Sequence, residues 1–103
     1  MTIVVTAAFS PKEGAFYQVV AALSPAISEV HQESGCLLYA IHEAPDNQIL
    51  MIEKWESAAL LDAHGQGEPV KRLNAALEGL LEKPVVVTRL APIPAGTAQQ
   101  GTL

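Results

Sequence analysis

The chain has 103 residues, half of them hydrophobic, which is enough to bury one core and indicates a single domain. Its 11 acidic residues against 6 Lys and Arg give a formal charge of −5, which argues against a nucleic-acid partner because phosphate backbones bind basic surfaces. The single cysteine, Cys36, excludes an internal disulfide and a thiolate metal cluster.

The first residues have neither a basic start nor a long apolar run, and no apolar stretch reaches the about 18 residues of a membrane span. We therefore expect a cytoplasmic protein without a membrane partner. Aromatic residues make up only 5% of the chain, so each of them is a candidate for packing or recognition.

Residues 2–9 are β-branched and apolar at both odd and even positions, which predicts a strand covered on both faces. The next residues have the spacing of a helix N-terminus, with Ser10 as the cap, Pro11 at the first helical position and Glu13 completing a capping box. The sequence therefore predicts a first helix that begins directly after the first strand.

The first predicted helix has one apolar stripe, with apolar residues at spacings of three and four. Its members are Phe16, Val19, Val20, Leu23, Ile27 and Val30. Pro25 lies within this stretch and removes a backbone hydrogen bond, which predicts a kink or a restart with Ser24 as a second cap. Gly35 is expected to end the helical region in the left-handed conformation.

Two strand-like segments follow, 36–43 and 49–56, and the Pro-Asp-Asn turn between them predicts a β-hairpin. Ser57 is the predicted cap of a short helix that ends at Gly65. After a Gly-Gln-Gly break, Pro69 begins a further helix. The apolar stripe of that helix consists of Val70, Leu73, Leu77, Leu80 and Leu81.

Residues 84–91 are predicted to form a last strand, and the segment 92–103 has no pattern that could pack. The predicted order is β-α-β-β-α-α-β, an α+β ferredoxin-like fold in which a split β-α-β arrangement forms a four-stranded antiparallel sheet. We expect one domain over residues 1–91 and a C-terminal tail, 92–103, that is flexible or docked on a partner subunit.

Because each predicted long helix has a single apolar stripe, the helices are expected to cover one face of the sheet and to leave the other open. Whichever parity faces outward, the two hairpin strands present apolar side chains there. An apolar face of this size is typical of a partner surface, so the sequence predicts a homodimer in which two sheets face each other.

The stretch 33–64 contains the pattern E-x-G-C-x-x-Y, then a hairpin, then E-x-W-x-S and a short helix that ends in His. The residues at these positions are Glu33, Gly35, Cys36, Tyr39, Glu53, Trp55, Ser57, Ala59 or Ala63, and His64. In this pattern the chain resembles the antibiotic biosynthesis monooxygenase family, dimeric α/β-barrel proteins that include small quinol monooxygenases. The resemblance covers roughly residues 2–91 and implies a cavity between the helices and the sheet, bordered by His64.

The resemblance also bears on cofactors. Related haem-degrading proteins carry an Asn on the first strand, a Trp at the end of the short helix and a His further along the chain, where this sequence has Ala7, His64 and Asn74. None of the three positions matches, which disfavours haem degradation. The sequence has no flavin motif and no His spacing typical of a metal site, so we expect no cofactor and no metal.

His64 is the predicted catalytic residue, because imidazole is the side chain that exchanges a proton near neutral pH without help from its surroundings. The alternative is structural, since a histidine at a helix C-terminus interacts favourably with the helix dipole and faces solvent. By contrast, we expect His31 on a solvated face and Cys36 as a small buried hydrophobe.

Trp55, Tyr39 and His42 are the predicted substrate-binding residues. Trp55 is either a core anchor or a wall for a planar ligand, and His42 points either into the dimer interior or into a cavity. Tyr39 and Glu53 are expected to pair with each other or with Arg89. For Glu53, an interface position is the favoured interpretation.

The resulting hypothesis is a cofactor-free monooxygenase that oxidises a quinol- or anthrone-like aromatic with O₂, with His64 as the base. A deprotonated, electron-rich phenol can itself pass an electron to O₂, so the protein has to supply only a base and a dry cavity. Two alternatives stay open. One is an isomerase of a small metabolite that uses the same cavity and base, and the other is a dimeric ligand-binding or stress-response module without turnover.

Overall fold

The computed structural model describes all 103 residues. Its elements are β1 (Ile3–Phe9), α1 (Phe16–Val30), β2 (Cys36–Ala44), β3 (Gln48–Trp55), α2 (Ala58–Gly65), α3 (Glu68–Leu77) and β4 (Val86–Leu90). The strands form one antiparallel sheet in the order β2-β3-β1-β4, and buried residues of all three helices join the core on one face of it. The predicted α+β, ferredoxin-like fold with a four-stranded antiparallel sheet is confirmed.

The two faces of the sheet differ in what covers them. The face toward the helices carries the core, and its residues from β1 and β3 are Val5, Ala7, Phe9, Ile49, Met51, Glu53 and Trp55. The opposite face, termed the open face, presents Val4, Thr6, Ala8, Leu38, Ala40, His42, Leu50, Ile52, Lys54, Val86, Thr88 and Leu90. Thr6 and Ala8 of β1 are only half-buried on the open face. Within a single chain, β1 is therefore not fully covered on both faces, as the sequence had predicted it to be.

The connection between β1 and α1 differs from the prediction. Pro11 is not the first helical residue but forms an antiparallel bridge with Leu81, and the Lys12 N–H donates to the Leu80 carbonyl at 2.9 Å. Helix α1 begins only at Phe16, and no side chain caps it. The predicted start was wrong because backbone pairing with a distant segment satisfies these groups, and no local pattern reveals that pairing.

Helix α1 continues through Phe16–Val30 as one element, although Pro25 lies inside it. The Ser24 hydroxyl donates to the Val20 carbonyl at 2.8 Å instead of capping a second helix, so the predicted restart was wrong. Proline deprives the carbonyl of Ala21 of its helical donor. Ala21 and Pro25 are both exposed, which lets water take the place of that donor.

The turns around the hairpin and α2 agree with the prediction. Asp46 and Asn47 both adopt left-handed backbone angles, with φ of 62° and 60°, as a tight hairpin turn requires. Gly35, with φ of 83°, reverses the chain just before β2. The Ser57 hydroxyl accepts from the Leu60 N–H at 3.2 Å and so caps α2 as predicted.

The last strand is shorter than the predicted 84–91. It spans Val86–Leu90, lies at one edge of the sheet and exposes all five of its residues. In the segment 92–103 the Gly101 N–H donates to the Thr97 carbonyl at 2.8 Å and closes a local turn. None of the helices combines the length and the apolar character that crossing a bilayer requires.

Candidate functional site

A cavity of about 300 Å³ lies between the sheet and the two C-terminal helices, α2 and α3. Most of its sheet side comes from β1 and from the strand β4 with the residue before it. Its polar groups belong to Tyr39, Glu53, His64, Asn74 and Arg89, and the remaining side chains are apolar. A mostly apolar cavity with a few converging polar groups is the usual form of a small-molecule site.

His64 lies in the last turn of α2, where the helix borders the cavity, and only 7% of its surface is exposed. Its Nδ1 lies 3.0 Å from Oε1 of Glu33, which belongs to the turn before β2. When Nδ1–H donates to this carboxylate, Nε2 is left as an acceptor, and it makes no hydrogen bond within the chain. His64 is therefore buried at the cavity wall, in contrast to the solvent-facing alternative.

Two aromatic rings hold the His64 imidazole. The Trp55 ring lies over it with centroids 4.5 Å apart and planes tilted by 32°, and the Tyr39 ring meets it edge-on at 5.4 Å and 72°. Trp55 is fully buried and is not part of the cavity lining, so it is the core anchor behind the imidazole and not a wall. Tyr39 does line the cavity.

Glu53 lies on the cavity side of the sheet, which corrects the interface position favoured from the sequence. Its side chain is 6% exposed, and Oε1 accepts from Nε1 of Trp55 at 2.9 Å. Burial raises the pKa of the Glu53 carboxyl above the ordinary 4.5, while the hydrogen bond from Trp55 and the charges of His64 and Arg89 act against this shift. The carboxyl therefore holds a proton more readily than an exposed glutamate does.

The Tyr39 phenol keeps its proton at all physiological pH values. Burial raises the pKa of Tyr39 above its ordinary value of 10, and the nearby Glu53 and Glu33 raise it further. The register places Tyr39 directly opposite Glu53, although no hydrogen bond joins them. The phenol is therefore available to the cavity as a hydrogen-bond donor and not as a base.

Arg89 lies at the open side of the cavity. Its Nη2 donates to Oδ1 of Asp62 at 2.7 Å, and this ion pair joins β4 to α2. Both side chains are more than half exposed, at 53% and 58%. The partner of Arg89 is thus Asp62, and not Tyr39 or Glu53 as the sequence had suggested.

The other candidate residues lie outside the cavity. His42 does not line this cavity but borders a smaller surface pocket beside Phe16, and its Nδ1 lies 3.2 Å from the Leu50 carbonyl. The His31 ring is exposed as predicted, and its Nε2 lies 3.0 Å from the Tyr39 carbonyl. Cys36 is half-buried, and burial raises the pKa of its thiol. No three His, Cys, Asp or Glu side chains converge as a metal-binding group.

Sequence reasoning missed Glu33 and Glu53 as parts of the cavity site. A signal for Glu53 existed, because it lies two residues before Trp55 and strand alternation places both on one face. For Glu33 the only signal was its place in the family pattern, since its contact with His64 spans 31 residues and depends on how α2 packs against the turn.

The match that decides the family covers residues 2–76 and is to the model described as antibiotic biosynthesis monooxygenase. The chain belongs to this family. Rv0793 of Mycobacterium tuberculosis, a monooxygenase by name, is 31% identical over 97 residues, which cover 93% of this chain and 96% of that protein.

Solved structures agree with this membership of the antibiotic biosynthesis monooxygenase family. The structure of Rv0793 has a TM-score of 0.85 and 30% identity, and the match covers 94% of this chain and 100% of the other. Protein SO0527 from Shewanella oneidensis is 26% identical with a TM-score of 0.79, over 86% of this chain and 88% of that one. A conserved protein from Methanosarcina mazei Go1 is 22% identical with a TM-score of 0.82, over 87% and 91%, and supports the fold alone.

The residues that carried the resemblance to the antibiotic biosynthesis monooxygenase family form one connected group in space. Glu33 holds His64, Trp55 and Tyr39 pack on His64, and Trp55 in turn donates to Glu53. Tyr39, Glu53 and His64 of this group line the cavity, and Glu33 and Trp55 lie behind them.

Proposed function

We propose that this member of the family is a cofactor-independent monooxygenase that oxidises a quinol- or anthrone-like aromatic with O₂. The observation that carries the proposal is the Glu33–His64 pair at the wall of an apolar cavity. By accepting from Nδ1, Glu33 favours the tautomer in which Nε2 of His64 is unprotonated and can take a proton from a ligand. The carboxylate also stabilises the imidazolium that then forms.

The proposed reaction on an anthrone balances without a cofactor. His64 removes the proton of the enol form, and the electron-rich anion passes electrons to O₂. A carbon–oxygen bond forms at the ring carbon, the oxygen–oxygen bond breaks, and one oxygen atom stays on the carbon as a carbonyl. The other oxygen leaves as water with the two hydrogens that this carbon has lost.

The remaining cavity residues support this chemistry by position. The Tyr39 phenol, neutral because burial raises its pKa, is placed to donate a hydrogen bond to the substrate anion. Trp55 stacks on the imidazole and fixes its orientation. The apolar lining excludes water from the reacting anion, which keeps the proton transfer and the oxygen step from competing with hydrolysis.

We also propose that the protein works as a homodimer through the open face. This face is mostly apolar, and its Val86 and Leu90 are exposed in the single chain. The cavity lies on the other side of the sheet, so pairing of two open faces leaves the entry of substrate free. His42 would then lie in the dimer interior and not at the substrate.

The test of the monooxygenase proposal is oxygen uptake by purified, metal-free protein with a panel of quinols and anthrones. We expect His64→Ala to lower the rate by about 10²- to 10⁴-fold, the usual contribution of a general base. Glu33→Gln keeps an acceptor for Nδ1 but removes the charge, and we expect an intermediate loss of about tenfold. His31→Ala, which removes an exposed histidine outside the cavity lining and off the open face, is the matched control and should leave the rate unchanged.

A substrate panel without any oxygen uptake would contradict the proposed reaction. Full activity of His64→Ala would contradict the role of the histidine while leaving the reaction class intact. Circular dichroism and melting temperature establish that each variant has kept its fold, which separates loss of chemistry from loss of structure.

One observation favours a second candidate, an isomerase that moves a proton beside a carbonyl group. Two groups able to hold protons, His64 and Glu53, face the same cavity, and burial raises the pKa of Glu53. Such a pair suits proton abstraction on one side and return on another. Product analysis without oxygen separates the candidates, because an isomerase turns over under nitrogen and the monooxygenase does not.

A further inference from the structure

Arg89 is the only Lys or Arg in the cavity lining. It belongs to β4, the edge strand whose residues are all exposed, so its guanidinium lies where the cavity opens to solvent. His64, with 7% of its surface exposed, marks the inner end. The cavity thus has a proton acceptor inside and a fixed positive charge at its mouth.

The sheet register sets the distance between the two ends. Arg89 pairs with Val5, and Val5 pairs with Glu53, so the three residues lie side by side on one face of three adjacent strands. Two strand spacings of about 4.8 Å place the Cα atoms of Arg89 and Glu53 about 10 Å apart. His64 lines the same cavity as Glu53 and Arg89, so a planar aromatic bound along this span has Arg89 at one end.

The present partner of Arg89 does not belong to the cavity. Asp62 lies on the exposed side of α2 and holds the guanidinium from outside, at 2.7 Å. An ion pair with both members more than half exposed is weak, because water screens it and solvates each charge when they part. A carboxylate bound from the cavity side can accept from both nitrogens of the guanidinium, whereas Asp62 accepts from Nη2 alone.

The charge balance inside the cavity permits an anion at its mouth. Glu53 is the one carboxyl group in the cavity lining, and burial raises its pKa, against which the charges of His64 and Arg89 act. The negative charge of Glu33 is engaged by His64. Arg89 lies on β4, beyond residues 2–76 of the family match.

We propose that Arg89 is a specificity-determining residue, which exchanges Asp62 for a carboxylate on the substrate and selects hydroxylated aromatic acids. The acid group binds at the mouth, bidentate on the guanidinium, and the hydroxyl points inward to His64. Asp62 is an internal competitor that occupies Arg89 when the cavity is empty. This inference rests on the proposed function, since it assigns the substrate class of the same cavity.

The test measures binding and not turnover. Two naphthalenes of equal ring size serve as probes, 6-hydroxy-2-naphthoate and 2-naphthol, and their affinities are measured by calorimetry without oxygen. We expect the acid to bind the unmodified protein more tightly than 2-naphthol does. Arg89→Met should weaken binding of the acid by about tenfold or more and leave 2-naphthol within about twofold.

Two further variants keep the test specific. Asp62→Asn removes the competitor and should tighten binding of the acid by up to about fivefold, with no gain for 2-naphthol. Arg72→Met removes an equally surface-exposed arginine that pairs with Glu29 on the helices, outside the cavity lining, and should change neither affinity. If the acid were attracted only by the overall charge of the protein, Arg89→Met and Arg72→Met would weaken its binding equally.

Three results would overturn the inference: Arg89→Met binds the acid as well as the unmodified protein does, Asp62→Asn weakens that binding, or neither naphthalene binds at millimolar concentration. The monooxygenase proposal fails separately. Acid-selective binding without oxygen uptake on any substrate contradicts only the reaction, whereas oxygen uptake on neutral quinols without acid selectivity contradicts only the role of Arg89.

Discussion

At the scale of single residues, the contact between His64 and Glu33 decides what the imidazole can do. Only one oxygen of the carboxylate is used, since Oε1 accepts from the ring while Oε2 is buried without a partner. A buried, unpaired carboxylate oxygen is costly for the fold. An unpaired polar atom beside the contact with His64 is a local conflict of the kind that folds retain more often at functional sites than in a plain core.

Glu53 predicts a pH dependence of stability. Because burial raises its pKa above 4.5, the folded chain holds this proton more tightly than the unfolded chain does. The stabilisation is complete below pH 4.5 and is lost as the pH rises through the folded-state pKa. Glu53→Gln keeps the acceptor for Trp55 Nε1 but cannot titrate. We compare the melting temperature of Glu53→Gln with that of the unmodified protein at each pH. The difference, variant minus unmodified protein, should be more positive at pH 8 than at pH 4.

Thermal unfolding of both proteins across this pH range checks the expectation. Glu43→Gln is the control, because Glu43 is exposed and its substitution should shift both ends of the range alike. An identical difference between the Glu53→Gln variant and the unmodified protein at pH 4 and pH 8 would show that burial does not perturb this carboxyl.

At the scale of elements, Gly35 fixes how the turn after α1 meets α2. It has φ of 83°, and a Cβ on it would lie 2.5 Å from Cδ1 and 2.9 Å from Cβ of Leu60. Gly14 has nearly the same backbone angle, φ of 81°, with no atom within 4 Å of a Cβ. The two glycines therefore separate backbone strain from collision with α2.

We expect Gly14→Ala to cost about 1 kcal/mol of unfolding free energy, the strain of the left-handed conformation alone. Gly35→Ala should cost about 3 kcal/mol or more, because Leu60 and with it α2 must shift. Urea denaturation measures both values. The shift of α2 also carries His64 away from Glu33, so oxygen uptake should fall in Gly35→Ala and not in Gly14→Ala. Equal losses of unfolding free energy in the two variants would show that collision with Leu60 does not destabilise Gly35→Ala.

The same scale shows what a sequence can and cannot predict here. The hairpin and the cap at Ser57 depend on neighbours in sequence, and both were predicted. The start of α1 depended instead on the bridge between Pro11 and Leu81, which competes with a sound local capping pattern. The pairing of Glu33 with His64 failed to emerge for the same reason, since a contact between distant segments leaves no periodic trace.

At the scale of the whole molecule, the sheet separates two surfaces with different side chains. The helix side encloses the cavity, with the inner group around His64 and the charged mouth at Arg89. The open face carries no group of the candidate site and is mostly apolar. A fold that confines its chemistry to one face can use the other for association without disturbing the site.

This separation leads to the prediction that Ile52 at the centre of the open face holds a dimer together. Ile52 lies between Thr6 of β1 and Ala40 of β2, so it is surrounded by strands on both sides. Ile52→Glu would bury a carboxylate against the partner sheet, which is strongly unfavourable without a counter-charge. We expect the unmodified protein to be a dimer by light scattering at micromolar concentration and Ile52→Glu to be a monomer.

Gln18→Glu adds the same charge to the exposed side of α1 and should remain dimeric. A monomeric unmodified protein would refute the open-face dimer, and a dimeric Ile52→Glu would place the interface elsewhere on the chain.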